Sequence, residues 1–179
     1  MPETKDQLAA QPLAGYAAPL ATALWRLQDA RARTLKALQT ISEAEVDWLA
    51  PGLQNRIGTL LYHIAAIEID WLHEEILQQP WTAEIEALFP YPVRDADGQL
   101  HPVLQIPLSA HLEHLEHTRA YFLKSLQAVT EADYRRLRQL PRYDVSPEWI
   151  MHHLAQHEAE HRGEILTIRT LYQAALREV

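Results

Sequence analysis

The sequence predicts an all-α protein, a four-helix bundle with a long crossover between the second and third helices. Four long segments repeat apolar residues at intervals of three and four, the spacing of a helix face buried in a core. No segment shows the alternation typical of a strand, and one long connection is punctuated by prolines. Together these patterns favour helices packed around one core.

Length and composition agree with a single domain. The chain has 179 residues, and we expect a polar tail over residues 1–12 before a domain over residues 13–179. The absence of cysteine excludes disulfides and thiolate metal sites. A net charge of −8 argues against binding to nucleic acid. Neither a signal peptide nor an apolar stretch long enough for a membrane span is visible, so we expect a cytoplasmic protein without a membrane partner.

The first two helices follow from their leucine and isoleucine spacing. Helix one is expected over about residues 13–40, and Ser42 to Glu45 then has the form of a capping box. Helix two is expected over about residues 56–78, after the break at Pro51. His63 lies about 100° from the centre of its apolar stripe, so the pattern leaves open whether it is a ligand or a solvated residue.

The crossover over residues 79–107 carries five prolines and a turn at Asp97-Gly98. Residues 81–89 are expected to form a short helix within it. A connection this long in a compact domain is usually functional or covers something, and the sequence does not decide between the two.

Helix three is expected over about residues 108–129. His111 flanks its apolar stripe, whereas His114 and His117 lie on the opposite face and are expected to be solvated. Arg119 falls near the centre of the stripe. We favour an aliphatic stem that extends to the edge of the core, and the alternative is a guanidinium that binds an anion in a pocket.

Helix four begins at Ser146-Pro147, an N-cap serine with proline at the first helical position, and continues to about Ala175. His157 and His161 lie on its apolar stripe, each within roughly 30° of the centre. Two buried histidines need partners, because an unpaired buried polar group is costly. Hydrogen-bonded core histidines are one explanation and a shared metal ion is the favoured one. A third ligand from elsewhere would make the metal site a strong prediction.

Two segments resemble the DinB-like superfamily of metalloenzymes. They are Arg56-Ile57-Gly58-Thr59-Leu60-Leu61-Tyr62-His63-Ile64-Ala65 and His153-Leu154-Ala155-Gln156-His157-Glu158-Ala159-Glu160-His161-Arg162-Gly163-Glu164-Ile165. The resemblance covers about residues 13–175 and implies an up-up-down-down bundle that holds a divalent ion through His63, His157 and His161. Glu164 stands where the family often has glutamine. Three nitrogen ligands leave one coordination position open, and zinc or nickel would suit such a site.

The resemblance also implies a function. Relatives include thiol-dependent S-transferases, so the first expectation is a metal-dependent enzyme that activates a small, low-molecular-weight thiol. The alternatives are a hydrolase that uses a metal-bound water, with Asp70 or Glu160 as base, and a metal-binding bundle without catalysis. Because such bundles often pair through a helix face, a homodimer is also expected. The polar residues expected around a small-molecule pocket are Tyr62, Asp70, Glu74, His111, Arg119 and Glu160.

Overall fold

The protein is a bundle of four long helices, described here from a computed structural model that covers residues 8–178. The predicted all-α class is confirmed. The long helices are α1 (Ala18–Leu38), α3 (Ile57–Asp70), α5 (Leu108–Ser125) and α7 (Pro147–Ala175). Helix α1 packs against α7, α3 packs against α5, and α3 and α7 meet across the core. Among the described residues, no helix is both long and apolar enough to cross a bilayer.

Short elements complete the chain. Helices α2 (Glu43–Val46), α4 (Ala83–Leu88) and α6 (Glu131–Arg135) lie in the connections. The two-residue strands β1 (Arg138–Gln139) and β2 (Asp144–Val145) pair antiparallel between α6 and α7. The expectation that no strand would form misses this hairpin, because two residues are too short to show an alternating pattern.

The predicted helix ends are close to the observed ones, and the differences have local causes. Helix α1 begins later than expected because residues 13–17 form a turn in which Gly15 has a φ of 88°. Helix α7 begins as predicted, with the Ser146 side chain accepting a hydrogen bond from the Trp149 amide at 3.2 Å. Of the predicted tail, residues 1–7 lie outside the described part of the chain, and residues 8–12 are not helical.

The second predicted helix changes its winding halfway. Regular α-helix ends at Asp70, and residues Trp71–Leu77 continue as a π-helix that ends at Gln78, whose φ is 52°. A π-helix is wider than an α-helix and is frequent at functional sites. The change therefore alters the directions in which Trp71, Glu74 and Glu75 project.

The crossover packs on the outside of α3. The Thr59 hydroxyl accepts a hydrogen bond from the buried Val103 amide at 3.1 Å. The Tyr62 hydroxyl donates to the Tyr91 carbonyl at 2.7 Å and accepts from the Tyr91 amide at 3.1 Å. The crossover thus covers the α3 face that also carries His63.

Candidate metal centre

Three histidines from two helices meet at the seam between α3 and α7. His63 on α3 places its Nε2 atom 3.1 Å from Nε2 of His157 on α7, and His157 Nε2 lies 3.1 Å from His161 Nε2. All three ligand atoms lie within 4.8 Å of one another. His63 is buried, and His157 and His161 are half-buried. The structure therefore brings together the three residues that the resemblance assigned as ligands.

Burial keeps two of these imidazoles neutral. Burial, followed by the nearby His157 and His161, lowers the pKa of His63 to about 3. Burial, followed by electrostatic repulsion from His161 and then His153, lowers the pKa of His157 to about 3. Since a metal binds the neutral ring through its lone pair, both groups are in the ligating form at neutral pH.

The nitrogen positions fit a metal ion better than hydrogen bonds alone. A ring nitrogen either donates or accepts in one direction, so His157 Nε2 can form at most one good hydrogen bond with its two neighbours. Bonds of about 2.0–2.1 Å in tetrahedral geometry place ligand nitrogens roughly 3.3 Å apart, close to the observed spacing. A divalent cation would satisfy all three lone pairs at once.

A carboxylate fixes the ring of His161. The Nδ1 atom of His161 lies 3.1 Å from Oε2 of Glu164, one turn further along α7. A proton on Nδ1 is favoured by this contact, which leaves the Nε2 lone pair directed at the cluster. Glutamic acid at this position therefore keeps the hydrogen-bond acceptor that the family's glutamine would offer.

The histidines do not occupy the middle of the α7 core face, contrary to the sequence expectation. That position belongs to Glu158, which is only 2% exposed. His157 and His161 lie beside it at the rim of the interface with α3, where their exposure is intermediate. The apolar positions alone did not distinguish the centre of the face from its edge.

Behind the histidines lies a buried network of two arginines and two glutamates. Arg119 donates from Nε to Glu68 Oε1 at 2.7 Å and from Nη2 to Glu158 Oε2 at 3.1 Å. Arg31 donates from Nη2 to Glu68 at 2.9 Å and from Nε to Glu158 at 2.7 Å. All four side chains are at most 6% exposed, and their charges cancel. The network joins all four long helices.

This network corrects both interpretations of Arg119. Arg119 lines a cavity of about 510 Å³, but its side chain is buried and paired with Glu68 and Glu158. Its guanidinium therefore neither extends to the edge of the core nor offers a free positive charge to an anion. Sequence reasoning missed Arg31, Glu68 and Glu158. A signal was present, since each lies at helical spacing within an apolar stripe, as Arg31 does after Leu24 and Leu27.

The remaining predicted pocket residues do not converge on one place. Asp70 lines a cavity of about 420 Å³ together with Glu74, and burial followed by the charge of Glu74 raises the pKa of Asp70. Glu160 is exposed and accepts a hydrogen bond from Gln156 at 3.0 Å. His111 is buried beside Gly58, and neither of its ring nitrogens has a hydrogen-bond partner among the described residues. Tyr62 is engaged by the Tyr91 backbone.

His114 and His117 on α5 were both expected to be solvated, and this holds for His117 alone. His117 is exposed, 3.9 Å from Glu84. His114 is instead half-buried, because its ring stacks on Phe89 with the centroids 5.7 Å apart. Phe89 follows α4, so the crossover covers a position that the helix pattern alone leaves exposed.

Two cavities lie near the cluster. One of about 510 Å³ is lined by Glu164 together with residues 52–55. On the other side the ring of His153, 5.8 Å from that of His157, stacks on Trp149, which lines a second cavity. Glu164 thus links the first cavity to His161, and His153 lies between the second cavity and His157, whereas none of the three histidines lines either cavity.

Comparison with models of protein families identifies a family that this chain matches. The model of a family described as the DinB superfamily matches residues 26–165, a range that includes all three clustered histidines. A search of curated proteins finds no match.

Proposed function

The chain belongs to the DinB superfamily, and we propose that it is a divalent-metal-dependent enzyme of the S-transferase type, which activates a small thiol at the ion. The observation that supports this is the convergence of His63, His157 and His161, in which Nε2 of His157 lies 3.1 Å from Nε2 of each of the other two rings. Three protein nitrogens and an open fourth position are typical of catalytic rather than structural metal sites.

The three histidines would hold the ion, and zinc or nickel would suit their nitrogens. Such an ion supplies Lewis acidity, which lowers the pKa of a thiol or water brought to the open position. The protein's part is to keep His63 and His157 neutral by burial and to hold the His161 ring through Glu164. The half-buried rim position of His157 and His161 leaves room for a substrate to approach.

Thiol transfer is favoured over hydrolysis by the positions of the carboxylates. Hydrolysis needs a base within hydrogen-bond reach of the attacking water. Glu160 is bonded to Gln156 at the surface, and Asp70 lies in a separate acidic cavity. Glu164 is the carboxylate in contact with the cluster, and its Oε2 atom is already engaged by His161. A thiol would need no such base, because its pKa of about 8.5, lowered further by a bound ion, would let bulk water take the proton at neutral pH.

The first experiment measures the metal content of protein purified without chelator or nickel resin. We expect about one divalent ion per chain in the wild type and loss of that ion in His63→Ala and His157→Ala. His152→Ala is the matched control, because His152 is an exposed histidine on the same helix. Wild-type protein that contains no metal and binds none when zinc or nickel is supplied would refute the site.

A second experiment tests the reaction. The loaded protein is assayed against electrophilic acceptors with and without a panel of low-molecular-weight thiols. Turnover that requires both the thiol and the ion supports the proposal. Ion-dependent turnover without thiol would replace it with hydrolysis, and stoichiometric ion with no turnover would favour a metal-binding role without catalysis.

A further inference from the structure

We propose that a cleft beside the histidine cluster binds an organic ammonium group. The cleft has a volume of about 390 Å³ and lies between the π-helix, the hairpin and the start of α7. Its walls include three aromatic rings and one carboxylate, from Trp71, Tyr143, Trp149 and Asp144. The proposal goes beyond thiol transfer and does not require a bound metal.

The aromatic rings form a continuous wall. The centroid of Trp71 lies 5.7 Å from that of Trp149 and 6.4 Å from that of Tyr143. His153 extends this wall, with its ring 4.9 Å from Trp71 and stacked at 11° on Trp149. Trp149 is 49% exposed and Tyr143 is 40% exposed, so both side chains are accessible to a ligand. Faces of this kind attract alkylated ammonium groups through the ring quadrupole.

Acidic groups give the wall its preference for a cation. Trp71 and Tyr143 also line the adjoining cavity, which contains Asp70, Glu74 and Glu75. The exposed Arg142 is the one basic residue in the lining of either cavity, so carboxylates exceed cations there. Burial and then the neighbouring carboxylates raise the pKa of Glu75, although a hydrogen bond from Tyr143 opposes the shift.

Glu75, in the wall of the adjoining cavity, contacts Tyr143 of the cleft and carries an unused acceptor. Its side chain is 7% exposed, and Oε1 accepts the Tyr143 hydroxyl at 2.7 Å. The second oxygen, Oε2, is buried and has no hydrogen-bond partner among the described residues. A positive charge held nearby in the cleft would stabilise this unpaired oxygen, whereas a neutral ligand would not. A cationic occupant therefore fits better than a neutral one.

The shape and chemistry of the walls select the kind of cation. Hard metal ions take several oxygen ligands, which three aromatic rings do not provide. A bulky ammonium group can place its carbons against Leu137 and Val145 and its charge between the rings and the carboxylates. Because His153 links this wall to His157, a ligand held here lies next to the proposed metal centre.

Choline and its neutral carbon isostere, 3,3-dimethylbutanol, test the proposal by calorimetric titration of the metal-free protein at constant ionic strength. We expect choline to bind at least about tenfold more tightly than the isostere. Trp149→Ala should abolish choline binding, and Glu75→Gln should reduce it while leaving the weak binding of the isostere unchanged. The control, Glu86→Gln, removes a charge from an exposed position on α4 and should have no effect.

Equal binding of both probes would overturn the proposal, because the cleft would then be a plain apolar groove. Absence of choline binding would also overturn it. If the wild type is then a dimer that Trp149→Ala dissociates, the cleft is assigned to a second copy of the chain. Melting curves show that each variant is folded before its titration is interpreted. Metal content is measured separately, so loss of the metal site and loss of the ammonium site are distinguished.

Discussion

Replacement of Arg119 by methionine tests whether the buried network holds the bundle together. Arg119 donates two hydrogen bonds to Glu68, one to Glu158 and one to the Leu27 carbonyl. Methionine fills similar space but leaves two glutamates facing Arg31 alone. Burial raises the pKa of Glu68, but Arg119 first and then Arg31 outweigh that effect and hold this pKa below its ordinary value. The variant thus leaves one buried negative charge uncompensated.

The cost follows from that uncompensated charge. Removal of one partner from a buried ion pair destabilises a protein by about 3–5 kcal/mol. For a chain of this size that loss corresponds to a melting temperature lower by roughly 6–20 °C. Urea and thermal unfolding of metal-free protein measure it. Arg33→Met is the matched control, since Arg33 pairs with Asp29 at 2.7 Å but is 65% exposed, and its midpoint should not change measurably.

A double variant separates charge balance from packing. Glu158→Gln combined with Arg119→Met leaves Arg31 opposite Glu68, a balanced pair. The double variant should therefore be more stable, by at least about 1 kcal/mol, than the sum of the two single losses predicts. Strict additivity, or an Arg119→Met protein as stable as the wild type, would refute the idea that balanced buried charge stabilises the bundle.

Three further predictions concern single positions. Burial, and next the charge of His114, lower the pKa of His111 from 6.5 to about 4, so between pH 4 and 6.5 the unfolded chain binds a proton that the folded chain does not, and the free energy of unfolding falls as the pH drops. His111→Gln should reduce this pH dependence by up to about 1.4 kcal/mol per pH unit, and a dependence equal to that of the wild type would contradict the prediction. Glu164→Ala should weaken zinc binding about tenfold or more, whereas Glu164→Gln should preserve it because the amide oxygen still accepts the His161 hydrogen bond. Equal zinc affinities of Glu164→Ala and the wild type in a competition titration would disprove this role of Glu164. Ser146→Ala should cost about 1 kcal/mol through loss of the N-cap of α7, with Ser146→Gly as the milder comparison in chemical unfolding.

The helices could be predicted because apolar spacing determines which face of a segment is buried. Ser146-Pro147 located the start of α7 to the residue. His63 was different, since it lies at the edge of the α3 stripe and its own pattern fits a solvated residue equally well. The resemblance made it a candidate, and the structure places it next to His157. Tertiary contact between α3 and α7 decides this, and helical periodicity within one segment contains no information about it.

The buried network escaped prediction because its members were considered one at a time. Arg119 alone in an apolar stripe suggests either a flexible stem or an anion site. Glu68 and Glu158 also lie within the apolar stripes of their helices, and so does Arg31. Two arginines and two glutamates in the stripes of four packed helices would together have predicted that their charges neutralise one another. The π-helix from Trp71 and the hairpin that presents Tyr143 depend on packing against each other, so the aromatic cleft was also beyond reach.

Helices α3 and α7 each carry both a glutamate of the ion-pair network and at least one of the clustered histidines, yet the exposure of the two sets suits different roles. His157 precedes Glu158 by one residue, which turns it by about 100° around the helix axis. When Glu158 is fixed at the centre of the bundle by Arg31 and Arg119, His157 is therefore held at the rim, facing His63. An ion bound at this rim would remain accessible to a substrate. The buried ion pairs meanwhile fix the relative positions of α3 and α7, which carry the ligands. On this reasoning, loss of the network should disturb metal affinity as well as stability, although none of its four members is a ligand.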